Sequence, residues 1–302
     1  MVKKLTFEQR QEVFSSAEKA RAYLESVRWP DGVVCPHCGG REAYAIAGKS
    51  ARAGLWKCKS CRKQFTVTVG TIFQGSHIPL NKWLYAIYLM CESKKGISSN
   101  QLHRDLGLTY KTTWFMTHRI RQAMSNSEPV MFDGVVEADE TYVGGKTRGG
   151  KRGRGAEKKT PVFALIERNG RAKSFHVDNV KKQTLQALVA DNVEVTAHIM
   201  TDSLNSYRGL DKTFSGHSFV DHSKEYVRGI VHINFAESYF SLLKRGIMGA
   251  FHHVSRHHLQ RYLHEFDFRW NSRDHAYTQV EDVLRQAAGQ RLLYRDSARS
   301  LA

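Results

Sequence analysis

Val135-Val136-Glu137-Ala138-Asp139-Glu140-Thr141-Tyr142-Val143 is the stretch whose reading decides the fold. β-Branched and aromatic residues dominate it, and neither Gly nor Pro interrupts it. That composition predicts a strand over residues 134–143, with a carboxylate, Asp139, set among apolar neighbours. Strand alternation puts Glu137 on the same face as Asp139 and turns Glu140 away from it. Downstream lies a loop rich in Gly, Lys and Arg, from Gly144 to Lys159. Strands are then expected at Val162–Glu167 and Lys173–Val177, joined by an Asn169-Gly170 hairpin turn. Lys181–Ala190 reads as a helix, and His198–Thr201 as a short strand ending at Asp202. A further strand is read around Phe219–His222, and helices over 234–245 and 256–270. Strands first, then alternating helix and strand, predict a mixed α/β core from about 130 to 290.

Upstream of the strand the pattern is helical. Residues 80–125 carry helical periodicity, broken at Lys95-Gly96 and at Gly107. Within that stretch, Ile97–Trp114 has the form of a helix-turn-helix. Ser98 or Ser99 can cap its first helix, Gly107 permits the turn, and Thr109 can cap its second helix. The second helix then offers Tyr110, Lys111, Thr112, His118, Arg119 and Arg121 to a DNA groove or to phosphates. Residues 6–28 read as one amphipathic helix ending before the turn Trp29-Pro30-Asp31-Gly32.

Between these helical parts stand four of the five cysteines. Cys35-Pro36-His37-Cys38 and Cys58-Lys59-Ser60-Cys61 make a C-x2-C-x19-C-x2-C pattern, the spacing of a four-thiolate zinc site. Each pair forms a tight knuckle that aims two sulfurs at one point. Four thiolates leave no open position, so the expected zinc is single and structural. Arg41, Lys49, Arg52, Lys57, Lys59, Arg62 and Lys63 surround the site and suggest contact with DNA. Cys91, in an apolar helical stretch, reads as a core residue.

Composition narrows the class. The chain has 302 residues, 41% of them hydrophobic, with 46 Lys and Arg against 29 acids and a net charge of +17. This is a globular protein of two or three domains whose charge favours nucleic acid as partner. No apolar run of 18 residues appears, which argues against a membrane span. The start, MVKKLTFEQRQEVF, lacks the apolar stretch of a secretory signal. Without one, paired cysteines read as metal ligands in a reducing compartment, not as disulfides.

Three carboxylates stand out by position. Asp139 lies on the first core strand, Asp202 ends a later one, and Glu237 lies on a helix. Lys244 follows Glu237 by seven residues, nearly two helical turns, so both share a face with Asn234 and Ser241. Clustered carboxylates need a cation among them. Mg²⁺ takes oxygen ligands, and two such ions can serve phosphodiester cleavage. His252, His253, His257 and His258 fit a basic surface better than a second metal site.

At these residues the chain resembles the DDE transposases of bacterial insertion sequences, in the zinc-ribbon group related to Merlin elements. The matching stretches are CPHCGG with CKSCRKQF, then QLHRDLGLTYKTTWFMTHRIR, VEADETYVGGK, TDSLNSY, and HINFAESYFSLLKRGIMGAFHHVSRHHLQRYLHEFDFRWNSR. They run from residue 35 to residue 273 with few gaps. The resemblance implies a multidomain α+β protein. Its parts are an N-terminal helix (1–32), a zinc ribbon (33–70), a helix-turn-helix domain (71–128), an RNase H-like catalytic domain with a mixed sheet (129–290) and a tail (291–302). It implies that Asp139 and Asp202 are metal ligands. The third ligand in the group is Asn or Glu; we take Glu237, with Asn234 as the alternative and Lys244 orienting phosphate. The cofactors implied are one structural Zn²⁺ and two catalytic Mg²⁺ or Mn²⁺ ions. The partner is double-stranded DNA, contacted by Tyr110, Lys111, Arg119, Arg121, Lys151, Arg152 and Arg154, with a homo-oligomer assembled on it. The implied location is a bacterial cytoplasm, at the nucleoid. A nuclease or a domesticated regulator without strand transfer is the alternative.

Overall fold

The computed structural model describes residues 6–48, 51–125, 131–144, 159–225 and 227–297. The chain divides into two compact units, one running to Met124 and resuming at His275, the other spanning Ser125–Asp274.

In the first unit, the helix expected over 6–28 is two helices, α1 (Phe7–Ser15) and α2 (Ala17–Arg28). Ser16 breaks them. Its backbone is extended, and its hydroxyl accepts from the Lys19 N–H, capping α2. A serine that bonds locally competes with helix continuation in this way. The cysteine region folds into a three-stranded antiparallel sheet, β1 (Ala43–Ala45), β2 (Trp56–Cys58) and β3 (Gln64–Phe65). Helices α3 (Leu80–Glu92), α4 (Ser99–Leu106) and α5 (Tyr110–Ala123) follow. Ser98 caps α4, Thr109 caps α5, and Gly107 sits between them at φ 60°. The left-handed conformation there costs glycine nothing, which is why α4 can stop and α5 start within three residues. Trp83, Ile87, Met90, Leu102, Met116 and Ile120 are buried between these helices, and Cys91 is buried with them.

The second unit is built on a five-stranded sheet. Its strands are β4 (Val135–Val143), β5 (Thr160–Glu167), β6 (Ala172–His176), β7 (His198–Asp202) and β8 (Gly216–Val220), in the order β6-β5-β4-β7-β8. β4, β5 and β6 pair antiparallel, with Asn169 at φ 57° in the hairpin turn; β7 and β8 are parallel to β4. The sheet is therefore mixed. Residues of β5 alternate between two cores. Phe163 and Leu165 pack with Leu185 and Val189 of α6 (Lys182–Ala190) on one face. Val162, Ala164 and Ile166 pack on the other face with Ala236, Tyr239 and Leu243 of α7 (Asn234–Gly246), and with Leu263 and Phe266 of α8 (Arg256–Asn271). A π-turn, Ile247–Phe251, extends α7.

Helix α8 also closes one edge of the sheet. An edge strand exposes backbone groups that invite pairing with another chain. Here Asn271 accepts from the Ala172 N–H at 2.7 Å and donates to its carbonyl at 3.0 Å. Asp267 accepts from the Ser174 N–H, while Gln260 donates to the Ser174 carbonyl and accepts from the His176 N–H. Three polar side chains on one helix face thus take the place of a sixth strand beside β6. Asn271→Ala leaves both Ala172 groups unpaired. The expected loss is about 1–3 kcal/mol of stability, read as a lower thermal midpoint for the second unit.

The remaining helices, α9 (Gln279–Gln286) and α10 (Tyr294–Ser297), differ from the sequence reading in their attachment. That reading carries the catalytic domain to residue 290. Instead, α9 buries Val283 and Leu284 in the first unit, against α2, α3 and α5, and Tyr23 donates to Glu281 there. The Ile72 N–H also bonds the Ala287 carbonyl, and the Gly289 N–H bonds the Gly70 carbonyl. The apolar stripe of α9 has its partner in those helices, and this fixes its place.

Candidate functional site

The four cysteines come together as the spacing predicts. Their sulfurs lie within 4.8 Å of one another, with Cys35–Cys61 and Cys38–Cys58 each at 3.7 Å. A tetrahedral zinc with Zn–S bonds of about 2.3 Å requires sulfur separations of roughly 3.8 Å, so the donor set fits. A disulfide would be far shorter. The turn after the first pair and the turn within the second aim backbone N–H groups at sulfur. Those of Cys61 and Ser60 lower the Cys58 thiol to about 6, which favours the thiolate a metal needs. Around the site Arg41, Arg52, Lys59, Arg62 and Lys63 border the cysteines, mostly exposed, and Lys57 is half-buried; Lys49 lies outside the described residues.

On α5 the expected DNA-facing residues separate into two groups. Tyr110 is 52% exposed, and Lys111 is exposed with its ammonium over the Tyr294 ring. Arg119 and Arg121, expected on the same outward surface, are buried inside the first unit, as is His118. Arg119 donates to the Gln74 carbonyl at 2.7 Å and stacks over Trp83. The α5 face bearing residues 113, 116, 117 and 120 is the packed one, and it carries these two arginines inward with it. Lys151, Arg152 and Arg154 lie outside the described residues.

The carboxylates converge in the second unit, and the sheet explains how. The β4–β7 pairing ends at Glu137↔Met200. Two residues further along both parallel strands stand Asp139 and Asp202, side by side. Their oxygens lie within 4.8 Å of each other and of Glu140. The inclusion of Glu140 corrects the sequence reading, which turned it away. Its backbone does face the α6 side, but its carboxylate stays near the carboxyl end of the strands. There Tyr207, from a short 3₁₀ turn after β7, donates to it at 2.7 Å. Asp202 accepts from the Leu204 N–H at 2.9 Å, which tightens the same turn.

Glu237 of α7 stands at the rim. It is half exposed and is not part of the tight three-carboxylate group, yet it lines both clefts that open beside Asp139. One cleft is acidic, with Asp202, Asp221 and His222; the other carries Ser241, Lys244, Arg245 and Met248. His222 Nε2 is 4.0 Å from Glu237 Oε1. Asn234 is exposed and lines neither cleft.

Electrostatics mark Asp139 as the strained member. Burial first, then the charges of Glu140, Asp202 and Glu237, push its carboxyl well above the usual range. Burial, then the charges of Glu140, Asp139 and Asp202, push Tyr207 up too, keeping it a hydrogen-bond donor. A hard divalent cation held by oxygen ligands would relieve this repulsion, and the donor set fits one. Perturbed acids of this kind, converging in a cleft, are a candidate active site.

Sequence reasoning missed Arg168, which stands beside the hairpin turn. Its guanidinium bonds Glu137, the residue read as a neighbour of Asp139. No sequence signal pointed to Asp221, since the loop after β8 has no pattern of its own.

Comparison with known proteins gives two family matches. Residues 131–271 match the ISXO2-like transposase domain, and residues 15–64 match a transposase zinc-ribbon domain. A protein of Halobacterium salinarum described as an uncharacterized protein in transposable element ISH50 is 32% identical over 275 residues, covering 85% of this chain and 91% of its own. Among solved structures, a chain of a pre-cleavage Mos1 transpososome aligns with 62% of this chain and 76% of its own. Its identity is 12% and its TM-score 0.23, so that likeness carries no argument. Among the described residues, no helix is long and apolar enough to cross a membrane.

Proposed function

Because this chain belongs to the family of ISXO2-like transposases with a zinc ribbon, we propose that it cuts DNA at the ends of a mobile element and joins the freed ends to target DNA. In this reading it is a DDE-type enzyme whose second unit is an RNase H-like catalytic domain. The observation that carries the reading is Asp139 beside Asp202 on adjacent parallel strands, with Glu237 on the wall of the same cleft.

Asp139 and Asp202 are assigned as ligands of divalent ions, Mg²⁺ or Mn²⁺. Such ions, when bound, stabilise the attacking and leaving oxygens of a phosphodiester exchange. Glu237 completes the set from the cleft wall, and Glu140 stays engaged with Tyr207. Asn234 stays the alternative third ligand; its place outside both clefts favours Glu237. Lys244 lines the adjoining cleft and would hold a phosphate against the site. The helix pair α4–α5 would read the element ends through Tyr110 and Lys111, with the basic ribbon gripping the backbone. A homo-oligomer assembled on two ends, in a bacterial cytoplasm at the nucleoid, follows from this role.

The test is a strand-transfer assay with a short duplex bearing the element's terminal repeats. Cleavage and joined products in Mg²⁺, both abolished by chelation, are expected. Cleavage without joining would make the protein a nuclease, and binding without cleavage a regulator.

The basic loop gives a separate expectation. Between Lys146 and Lys159 it carries seven Lys or Arg and one Glu, spaced by glycines. Neutralising Lys151, Arg152 and Arg154 should weaken binding to all sequences alike, lowering the salt slope by about 0.9 for each phosphate no longer neutralised. A weakening confined to the specific site would make the loop a sequence reader instead.

A further inference from the structure

Helix α7 has one long local contact at its start, from the Asn234 N–H to His232 Nδ1 at 3.4 Å. Ile233 precedes its first turn and offers no side-chain acceptor to the free N–H groups there. Strand β4 supplies one. Glu137 is fully buried, and its Oε2 accepts from the Phe235 N–H at 2.8 Å and the Ala236 N–H at 3.1 Å. Its Oε1 accepts from Arg168 Nε at 2.8 Å. Arg168 also donates to the carbonyls of Ile230 and His232, so one guanidinium holds the segment that leads into α7. His232 Nδ1 lies 3.3 Å from the same Glu137 oxygen.

A buried ion pair is a weak device for stability alone, because apolar residues of like volume often serve as well. Its placement here suggests another use. Glu137 stands two residues before Asp139 on the same strand face. The amides it grips belong to the two residues immediately before Glu237. The two ends of the clamp are thus close in sequence to two of the three assigned acids.

We propose that Glu137, held by Arg168, is a positioning residue: it pins the first turn of α7 to β4 and so sets Glu237 at its distance from Asp139 and Asp202. The proposal rests on the reading that these acids bind a divalent cation. Glu137 is not itself a ligand, since both its oxygens are taken by the clamp.

Hydrogen exchange and Mn²⁺ binding, both on the full-length protein without DNA, test this. Glu137→Gln should speed amide exchange at residues 235–237 and raise the Mn²⁺ dissociation constant by about 10- to 100-fold, the range for residues that support metal ligands. In a Glu237→Gln background the same substitution should weaken Mn²⁺ binding little further, because the effect passes through Glu237. A residue that only stabilises the fold would give additive effects, and that result overturns the proposal. So does unchanged exchange at 235–237. If Glu137→Gln fails to fold, Glu137→Gln with Arg168→Met, which removes both charges, carries the same measurements. Wild-type protein that binds no Mn²⁺ would overturn the metal reading itself. The exchange data would then still decide whether Glu137 holds α7.

Discussion

Alanine at Asp139 or Asp202 is expected to lower strand cleavage in Mg²⁺ by roughly a thousandfold or more, beyond the 10- to 100-fold typical of residues that only support a ligand. Each substitution removes an oxygen from ions that stabilise both reacting oxygens, so neither acid can compensate for the other. End binding should persist, because the DNA readers assigned here lie in the first unit. Gel-shift and cleavage assays on the same preparation measure the two effects separately. Asp139→Ala should also raise the stability of the metal-free protein, since a carboxylate held among like charges is removed. Glu237→Ala should abolish cleavage as well, with Lys244→Ala less severe. If Asn234→Ala is inactive and Glu237→Ala is not, the third ligand is Asn234. Glu140→Ala separates the remaining acid: its removal should act mainly through Tyr207 and the turn after β7.

Loss of zinc has the other large expected effect. Structural zinc contributes on the order of 10–16 kcal/mol in small cysteine modules, more than a ribbon of three short strands can replace. The strands of this ribbon have two or three residues each, and Phe65 and Cys58 are among its few buried residues. Cys58→Ser should therefore abolish stoichiometric zinc and unfold residues 33–70, with the second unit still folded. Metal analysis and exchange mapping of the ribbon check both halves. Purified wild-type protein without zinc would refute the assignment.

The sequence made much of this legible where local rules act alone. Cysteine spacing placed the four sulfurs, and the caps Ser98 and Thr109 with Gly107 bounded α4 and α5. The strand VVEADETYV, the Asn169-Gly170 turn and the strand ending at Asp202 account for most of the sheet, whose order and parallel pairings came only with the structure. The failures came where tertiary contacts decide. Helical periodicity could not say which face of α5 is packed, so Arg119 and Arg121 were placed outside when they are inside. Strand alternation sent Glu140 away from Asp139, but a long side chain bonded by Tyr207 keeps its carboxylate close. No helix was read at residues 279–286, and the place of α9 depends on its packing against the helices of the first unit. Glu137 was legible as a neighbour of Asp139, while its role as the cap of α7 depends on a hydrogen bond across 98 residues of chain.

The most direct test of the central claim is anomalous diffraction at the manganese edge from crystals soaked in Mn²⁺. A peak is predicted between Asp139 and Asp202, at about the 2.1 Å expected of a small divalent cation bound by carboxylate oxygen. Saturating Mn²⁺ with no peak beside Asp139, in crystals that keep β4 and β7 in place, would contradict the account.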